Sequence, residues 1–585
     1  MNKSGAWLTQ YALEQLGITH TFGIPGVQNA EIYDQLNQSE LITPLLVNHE
    51  MNAAFMADAV SRTRAGSVGT MLIVSGSGVT HAISGIGEAY LAGIPLLIIA
   101  GSAHSKESHS HFIDAKEILK PLTKAVYSIS EHQQIVETLF TAYNLATSDR
   151  PGPVFVEIPL DIQMLSVDID EPLPLFGQKS QSVNQEVEPI SDANLSAVAI
   201  QLLNAQHPGI IVGWGAVDAQ TQVIALAQQI GAPVCTTLSG VSSFPAQHPL
   251  HAGMIFGHAA VPSAENAFKD CDCLLAIGTN LNEVDTASES AELPQNIIYI
   301  TSDTREKGGS DDDQEQRATA LHGNIQQITT DLLYKIQEQQ PSAVSRKVLV
   351  DDIAIQKALF KKEWLGHNSR GLVNPAVFFD KLRAAVSDDA IIITDDGLHT
   401  YLAAELMPIN TPRSFISPSS FNAMGYCMPA VNAAKLVNPD KQVIGILGDG
   451  AMLMSGMEAL TAVRENLGTI YCIFNDGKLS RINHSQRVSD SQSTCTQLGN
   501  INWGAFADSI ECGYIPVRHN NDIEVALRHA LETAAHHQPV FLDISIDYSR
   551  RSNYAQGVEK THTARFSGGN KLGILGRAIV RKLTG

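Results

Sequence analysis

Short apolar segments alternate with amphipathic stretches along most of the chain. Thr70–Val74, Pro95–Ala100 and Val154–Ile158 are continuous apolar runs, and the stretches between them carry apolar residues at helical spacing. Strands that are buried on both faces have such continuous apolar sequences, because helices cover both sides of their sheet. The pattern therefore predicts an α/β fold built on a mostly parallel sheet.

Polar connecting passages interrupt this alternation, and 585 residues are more than one hydrophobic core supports. A passage rich in Pro, Gln and Ser, 171–188, has no periodicity and predicts a linker. The strands predicted beyond it are Gly209–Val212, Pro233–Thr236, Cys273–Ile277, Ile297–Ile300, Ile391–Thr394, Val443–Leu447, Ile470–Phe474 and Val540–Ile546. We predict three domains, each a mostly parallel sheet flanked by helices, and a basic C-terminal extension: 1–165, 190–340, 370–550 and 551–585.

Composition narrows the class of protein. Apolar residues make up 44% and charged residues 17% of the chain, which is typical of folded globular domains. The formal net charge of −21 argues against a nucleic-acid partner, because the phosphate backbone would be repelled. The seven cysteines lack CxxC spacing, which argues against zinc. No export signal or transmembrane segment is recognisable, so the sequence predicts a cytoplasmic protein.

A glycine-rich turn after a predicted strand carries the first chemical signal. Gly448-Asp449-Gly450-Ala451 follows one apolar run, and Asp476 follows the next, twenty-seven positions after Asp449. Glycines let backbone N–H groups approach a phosphate closely, and Mg²⁺ prefers oxygen ligands. The pattern predicts a site for a diphosphate and a divalent cation, and the alternative is an ordinary tight turn.

This pattern resembles the cofactor motif of the thiamine-diphosphate-dependent enzymes, which runs from Gly-Asp-Gly to a closing Asn-Asn or Asn-Asp. The resemblance implies that Asp449 and Asp476 ligate Mg²⁺ through their side chains and Lys478 through its backbone carbonyl. Asp476 stands where the family more often has Asn, and its extra charge is expected to make metal and cofactor load together. The cofactor-binding residues implied in this region are Gly448, Gly450, Ala451 and Asp476.

A second motif, Asn48–Asp58, resembles the segment that carries the catalytic glutamate of this family. The resemblance implies that Glu50 hydrogen-bonds the aminopyrimidine ring of the cofactor and so activates its reactive carbon. Taken alone, a glutamate at a helix start more often complements the helix dipole. Thr21–Gly26 resembles the N-terminal turn of the family, which implies that Pro25 and Gly26 also contact the cofactor.

The resemblance extends to two more cofactor contacts and to the assembly. Ala423–Tyr426 resembles the motif whose methionine bends the cofactor, which gives that role to Met424, although an ordinary core methionine is the simpler interpretation of the residue alone. Gly397 is expected to shape the same pocket. In the family, the aminopyrimidine domain of one subunit faces the diphosphate domain of another, so a homodimer or homotetramer is implied.

Within the family, the middle block is most similar to acetolactate synthases. The implied reaction is decarboxylation of a 2-oxo acid, such as pyruvate, and transfer of the acyl-anion equivalent to a carbonyl acceptor. One alternative is a 2-oxo acid decarboxylase that joins no second substrate, and another is a non-catalytic relative that keeps the fold and the cofactor. The segments that carry this similarity are Gly231–Val234, Phe244–Pro245, His248–Leu250 and Gly253–Met254.

The chain also departs from acetolactate synthases. His111 stands near the position of a glutamine, and either His111 or His109 is expected to act as a catalytic proton relay, with ordinary surface histidines as the alternative. Asn280 and Val284 stand where arginines hold FAD in those enzymes. This replacement argues against stable FAD binding.

Overall fold

The computed structural model describes residues 2–103, 113–169, 172–177, 190–288, 290–303, 318–489 and 494–564. Within these ranges, three six-stranded sheets are present, and all their strand pairs are parallel. The predicted α/β class is therefore confirmed. The C-terminal extension is described only as far as residue 564.

The chain groups by proximity of its residues into two compact units, and the predicted domain bounds stay a prediction. Unit 1 comprises Met1–Val187, Ser420–Asp440 and Ser455–Leu467. Unit 2 comprises Glu188–Ser419, Lys441–Met454 and Gly468–Gly585. Two segments from the third predicted domain thus belong to the N-terminal unit.

The N-terminal part of unit 1 alternates strands and helices. In chain order its elements are β1 (Asn2–Ser4), α1 (Gly5–Gln15), β2 (His20–Gly23), α2 (Ala30–Leu36), β3 (Thr43–Leu46), α3 (Glu50–Thr63), β4 (Gly69–Val74), α4 (Ser77–Ala92), β5 (Leu96–Ser102), α5 (Ala115–Leu119), β6 (Ala125–Ser128), α6 (Gln134–Thr147), β7 (Pro153–Pro159), α7 (Leu160–Met164) and β8 (Ser166–Asp168). The sheet order is β3-β2-β4-β5-β7-β6, and β1 pairs with β8 in a separate antiparallel ladder. The central strands β4 and β5 are almost wholly buried, as continuous apolar runs require.

The first part of unit 2 forms the second sheet, with the order β11-β10-β9-β12-β13-β14. Aliphatic residues of its strands and of the helices on it make one buried core. In chain order its elements are α8 (Asp192–Asn204), β9 (Pro208–Val212), α9 (Gln220–Ile230), β10 (Val234–Thr236), β11 (His251–Met254), α10 (Pro262–Phe268), β12 (Cys273–Ile277), β13 (Asn296–Thr301), β14 (Ala318–His322), α11 (Ile325–Gln339) and α12 (Lys347–Leu365).

The third sheet also belongs to unit 2 and has the order β16-β15-β17-β18-β20-β19. In chain order the remaining elements are α13 (Pro375–Ala385), β15 (Ile391–Thr394), α14 (Leu398–Leu406), β16 (Phe415–Ile416), α15 (Cys427–Val437), β17 (Val443–Gly448), α16 (Asp449–Ser455), α17 (Ala459–Arg464), β18 (Ile470–Asn475), α18 (Ser480–Ser489), α19 (Trp503–Ser509), β19 (Gly513–Val517), α20 (Ile523–Ala535), β20 (Val540–Ser545) and α21 (Asn553–Ala564). Helices α15 and α17 are the ones that belong to unit 1. Across the described ranges, no helix combines the length and the apolar character needed to cross a bilayer.

Candidate active site

In unit 1 the strand order reverses between β2 and β4, because the chain runs outward from β2 to β3 before it returns to β4. Open α/β sheets bind ligands at the carboxyl ends of the strands beside such a reversal. Pro25 and Gly26 follow β2 at this edge, and the glycine-rich loop, which comprises Gly76 and the first turn of α4 with Gly78, follows β4. A Cβ on Gly26 would stand 2.8 Å from Cγ1 of Val74, so the two turns approach too closely for a larger residue.

Glu50 begins α3 beside this edge and its side chain is buried. The ring of His49 caps the helix, since its Nδ1 accepts a hydrogen bond from the Met51 backbone N–H at 3.1 Å. Glu50 is 7% exposed, and its Oε2 lies 2.9 Å from Nδ1 of His81 on α4. A Cβ on Gly78 would stand 3.4 Å from the other oxygen, Oε1. One carboxylate oxygen is thus held by a histidine, and the other faces the glycine-rich loop.

A second buried carboxylate fixes the start of α3. Glu458 accepts a hydrogen bond from the Asn48 backbone N–H at 3.1 Å and from the Asn52 side-chain amide at 2.6 Å. Burial raises the pKa of Glu458, and these hydrogen bonds oppose the rise. Asn48 and Asn52 flank Glu50, and Glu458 lies 410 positions further along the chain than Asn48. A tertiary contact within unit 1 therefore sets the position of Glu50.

The Met424 segment is anchored in the same unit. The hydroxyl of Tyr426 donates to Oδ1 of Asp58 at 2.5 Å, and Nε of Arg62 donates to the same oxygen at 2.6 Å. Asp58 and Arg62 lie on α3, the helix that begins at Glu50, and Met424 is half-buried two residues before Tyr426. Met424 therefore belongs with Glu50 in unit 1, and its contact with the cofactor stays a prediction.

In unit 2 the strand order reverses between β15 and β17. Gly397 follows β15 and Gly448 ends β17, and the ring of His399 lies against both. A Cβ added to Gly397 would stand 2.5 Å from Cε1 of His399, and one added to Gly448 would stand 3.4 Å from the same atom. Burial lowers the pKa of His399 to about 4, and its Nε2 has no hydrogen-bond partner among the described residues. A neutral imidazole with a free nitrogen beside two glycines is suited to a bound polar ligand.

The two predicted metal-binding carboxylates lie at the ends of β17 and β18. Asp449 accepts hydrogen bonds from the backbone N–H groups of Gly477 at 2.7 Å and Gly450 at 3.0 Å. Burial raises the pKa of Asp449 to about 6, and the negative charge of Asp476 adds to the rise. The Ser480 hydroxyl donates to one oxygen of Asp476. The other oxygen, Oδ1, is buried and makes no hydrogen bond to any part of the chain that the structure describes.

This donor set fits a divalent cation. Asp449 is buried and Asp476 half-buried, the negative charge of Asp476 raises the pKa of Asp449, and the free Oδ1 of Asp476 is available as a ligand. No group of three or more His, Cys, Asp or Glu side chains in the described ranges is arranged around a metal. The other ligands would be backbone, water or cofactor oxygens, which Mg²⁺ accepts. Lys478 pairs with Gln497 in an isolated β-bridge, and the role of its carbonyl stays a prediction.

An ion pair adjoins Gly397. Nη1 of Arg481 donates to Oδ1 of Asp396 at 3.0 Å, and the guanidinium lies 5.2 Å from the ring centroid of Tyr401. Burial raises the pKa of Asp396, and the positive charge of Arg481 opposes the rise. The pair links the end of β15 to the first turn of α18.

The structure gathers the predicted site residues into two groups, one in each unit. His111 lies outside the described residues. No observation so far tests the catalytic, cofactor or metal role of any single residue, so these roles stay predictions. Unit 1 holds Pro25, Gly26, Glu50 and Met424, and unit 2 holds Gly397, Gly448, Asp449, Gly450, Ala451, Asp476 and Lys478.

Three residues that the sequence did not single out join these groups. His81 follows the glycine-rich loop directly, and His399 lies two residues after Gly397, so proximity to a predicted motif could have indicated both. Glu458 carries no local signal, because its contacts with Asn48 and Asn52 exist only in the folded unit.

Comparison with protein families supports a thiamine cofactor. Residues 4–120 match the thiamine pyrophosphate enzyme N-terminal TPP binding domain. Residues 195–332 match the thiamine pyrophosphate enzyme central domain, and 395–544 match the C-terminal TPP binding domain. Thiamine pyrophosphate is another name for thiamine diphosphate. Glu50 lies in the first matched range, and Asp449 and Asp476 lie in the last.

Similarity to several other proteins extends over most of the chain. The acetolactate synthase isozyme 1 large subunit of Escherichia coli (strain K12) is 28% identical over 93% of this chain and 94% of its own length. The probable acetolactate synthase 2, chloroplastic, of Oryza sativa subsp. japonica is 30% identical over 85% and 75%. The probable 2-ketoarginine decarboxylase of Pseudomonas aeruginosa is 29% identical over 80% and 81%. The chain therefore belongs to the thiamine pyrophosphate-dependent enzymes.

Proposed function

We propose that this enzyme decarboxylates a 2-oxo acid, such as pyruvate, and transfers the acyl-anion equivalent to a carbonyl acceptor. The names of the acetolactate synthase relatives support this activity. The observation that carries the proposal is the buried carboxylate of Glu50, held 2.9 Å from His81 at the strand-order reversal of unit 1. Thiamine diphosphate, when bound, supplies the nucleophilic carbon and the electron sink that this chemistry needs.

Glu50 is proposed to hold and move the proton that activates the cofactor. Oε1 faces the glycine-rich loop, so it is the oxygen available to the aminopyrimidine ring, while His81 holds Oε2. Proton transfer requires hydrogen-bond distance and a fixed orientation, and both follow when one oxygen is already anchored. His81 is in this account a positioning residue, which acts through Glu50.

Asp449 and Asp476 are proposed to hold Mg²⁺, and the glycines and His399 to receive the diphosphate. A diphosphate brings several negative charges into a partly buried site, and Mg²⁺ held by the two carboxylates would neutralise part of this charge. Gly448 and Gly450 leave room for close backbone approach. Nε2 of His399, which has no other partner in the described ranges, would take up a proton and donate it to a phosphate oxygen.

A decarboxylase that joins no acceptor is the second candidate, and the 2-ketoarginine decarboxylase relative favours it. Release of CO₂ from a panel of 2-oxo acids, with and without added aldehydes, tests the proposal. Acetolactate or acetoin-type products from pyruvate would support ligation. Free aldehyde as the sole product would favour simple decarboxylation, and no CO₂ from any substrate would favour a non-catalytic relative.

A further inference from the structure

A cavity of about 200 Å³ lies in unit 2 and contains none of the candidate active-site residues. Its walls come from strands β10 and β11, helices α12 and α13, and the end of α14 with the residues that follow it. The volume is below the roughly 300 to 1,000 Å³ of sites for drug-sized ligands, so it suits a compact molecule.

Lys357 on α12 brings a positive charge into this cavity. Its Nζ donates to the carbonyl of Ala246 at 3.1 Å and lies 3.0 Å from Nδ1 of His251. Burial holds the pKa of His251 well below its ordinary value and that of the nearby Cys235 thiol well above, so both groups are neutral. The polar neighbours of Lys357 are therefore uncharged acceptors that leave its charge uncompensated.

The other charged side chains that line the cavity have ion-pair or hydrogen-bond partners of their own. Lys361 and Asp380 form an ion pair with each other. Glu405 accepts hydrogen bonds from the backbone N–H groups of Asn553 at 3.0 Å and Tyr554 at 2.7 Å. Within the described ranges, no carboxylate lies at ion-pair distance from Lys357. A partly buried cation without an opposite charge is unfavourable, and an anionic ligand would relieve this cost.

The remaining wall is largely apolar, so an inorganic anion would satisfy only one side of the cavity. We propose that this cavity binds a compact carboxylic acid, whose carboxylate pairs with Lys357 and whose hydrocarbon part contacts the apolar wall. This site is separate from the proposed reaction and does not depend on it. The apolar side chains concerned are Met254, Val261, Phe360, Trp364, Met407 and Ile409.

The charge of Lys357 gives the site a pH dependence. Burial lowers the pKa of Lys357 to about 8, so the ammonium form is present below that pH and is lost as the pH rises through it. Binding of a carboxylate is expected to weaken over the same interval, and ionisation of Glu405, whose pKa burial raises to about 7, adds to this loss. The titratable groups that face Lys357 or line the cavity are Cys235, His248, His251, Lys361, Asp380 and Glu405.

Fluorine NMR with trifluorobutyrate tests the proposal, because this short carboxylate lacks a 2-oxo group and does not turn over. The holoenzyme should bind it, and Lys357→Met should raise the dissociation constant about tenfold or more. Lys362→Met, at an exposed residue of α12 that does not line the cavity, is the matched control and should change it less than about twofold.

The neutral amide of the same probe provides a second readout. The wild-type enzyme should bind the amide about tenfold more weakly than the carboxylate, which needs no variant to test. The wild type and Lys357→Met should bind the amide equally. Absence of carboxylate binding to the wild type, or equal carboxylate binding by the wild type and a folded Lys357→Met variant, would overturn the proposal. Neither result would bear on CO₂ release.

Discussion

Nδ1 of His81 lies 2.9 Å from Oε2 of Glu50, and the two residues stand near the beginnings of α4 and α3. His81 is half-exposed, whereas Glu50 is buried. The rings of His49 and His81 stack, with centroids 4.7 Å apart. The carboxylate of Glu50 is thus oriented by neighbours on two helices of unit 1, as expected for a proton-transfer group that the fold holds in place.

Replacement of Glu50 by Gln is expected to leave the cofactor bound and to remove most turnover. The amide keeps the volume and can still accept a hydrogen bond from His81, but it is neither acidic nor basic enough to transfer a proton to or from the aminopyrimidine ring. We expect the rate of CO₂ release to fall by about a hundredfold or more. Glu117→Gln, at an exposed carboxylate of the same unit, is the control. An unchanged rate in Glu50→Gln would end the assignment.

Replacement of His81 by Phe is expected to lower kcat and leave KM for the 2-oxo acid nearly unchanged. Phe keeps a ring that can stack on His49, but it loses the hydrogen bond to Glu50. Because this hydrogen bond involves a charged group, we expect its loss to lower kcat by about tenfold. His81→Asn keeps a donor and should recover part of the rate. A KM effect without a kcat effect, or equal rates in all three proteins, would contradict a positioning role.

Long apolar strands such as β4, β5 and β18 could be predicted because both faces of each are buried, which makes the sequence continuously hydrophobic. The two-residue edge strand β16 has no such signal, and the half-exposed edge strand β6 has only a weak one. Strand β16 is buried, but two residues are too few to form a recognisable apolar run, whereas β6 is partly exposed, so burial constrains its composition less.

The candidate site likewise contains residues that a local sequence motif indicates and residues that no such motif indicates. Glycines and carboxylates that follow buried strands form local motifs, so the placement of Asp449 and Asp476 at strand ends could be predicted from sequence, while their roles stay predictions. The buried links from Glu458 to Asn48 and from Tyr426 to Asp58 join segments that are distant along the chain. Packing of α15 on α3 brings such segments together, and no local pattern encodes this pairing.

Replacement of Asp449 by Ala is expected to release the cofactor. Asp449 accepts two backbone hydrogen bonds and supplies one of the two proposed metal carboxylates, so its loss removes charge that the cation needs. Equilibrium dialysis with thiamine diphosphate and Mg²⁺ should show retention by the wild type and loss by the variant. Asp508→Ala, at an exposed residue of α19, is the control, and Asp476→Asn should retain binding. Full retention by Asp449→Ala would contradict the metal assignment.

Cofactor loading is expected to depend on pH through Asp449. The pKa of Asp449 is raised from 3.8 to about 6. In the cation-free protein, its protonated form therefore stabilises the fold fully below pH 3.8, and this stabilisation is lost as the pH rises through about 6. A cation binds the ionised form, so loading has the opposite dependence, complete above about pH 6 and lost below it.

The melting temperature with and without thiamine diphosphate and Mg²⁺ measures this dependence. The increase in melting temperature on loading should be larger at about pH 7 than at about pH 5. Asp449→Asn cannot titrate at this position, so any remaining increase in this variant should vary less across the interval than the increase in the wild type does. An equal increase in the wild type at both pH values would contradict the role of Asp449 in loading.

The family resemblance implies that partner molecules complete each other's sites, and mixed assemblies test this directly. Glu50→Gln and Asp449→Ala are each expected to be nearly inactive alone. If each site takes Glu50 from one subunit and Asp449 from the other, a mixed dimer contains one site with both residues intact and one with neither. Unfolding and refolding the two variants together should then restore about a quarter of the wild-type activity, because random pairing makes half of the dimers mixed. If one subunit supplied both residues of its own site, every site in the mixture would carry one substitution and no activity would return. Sedimentation of a fully active monomer would contradict the assembly in a second, independent way.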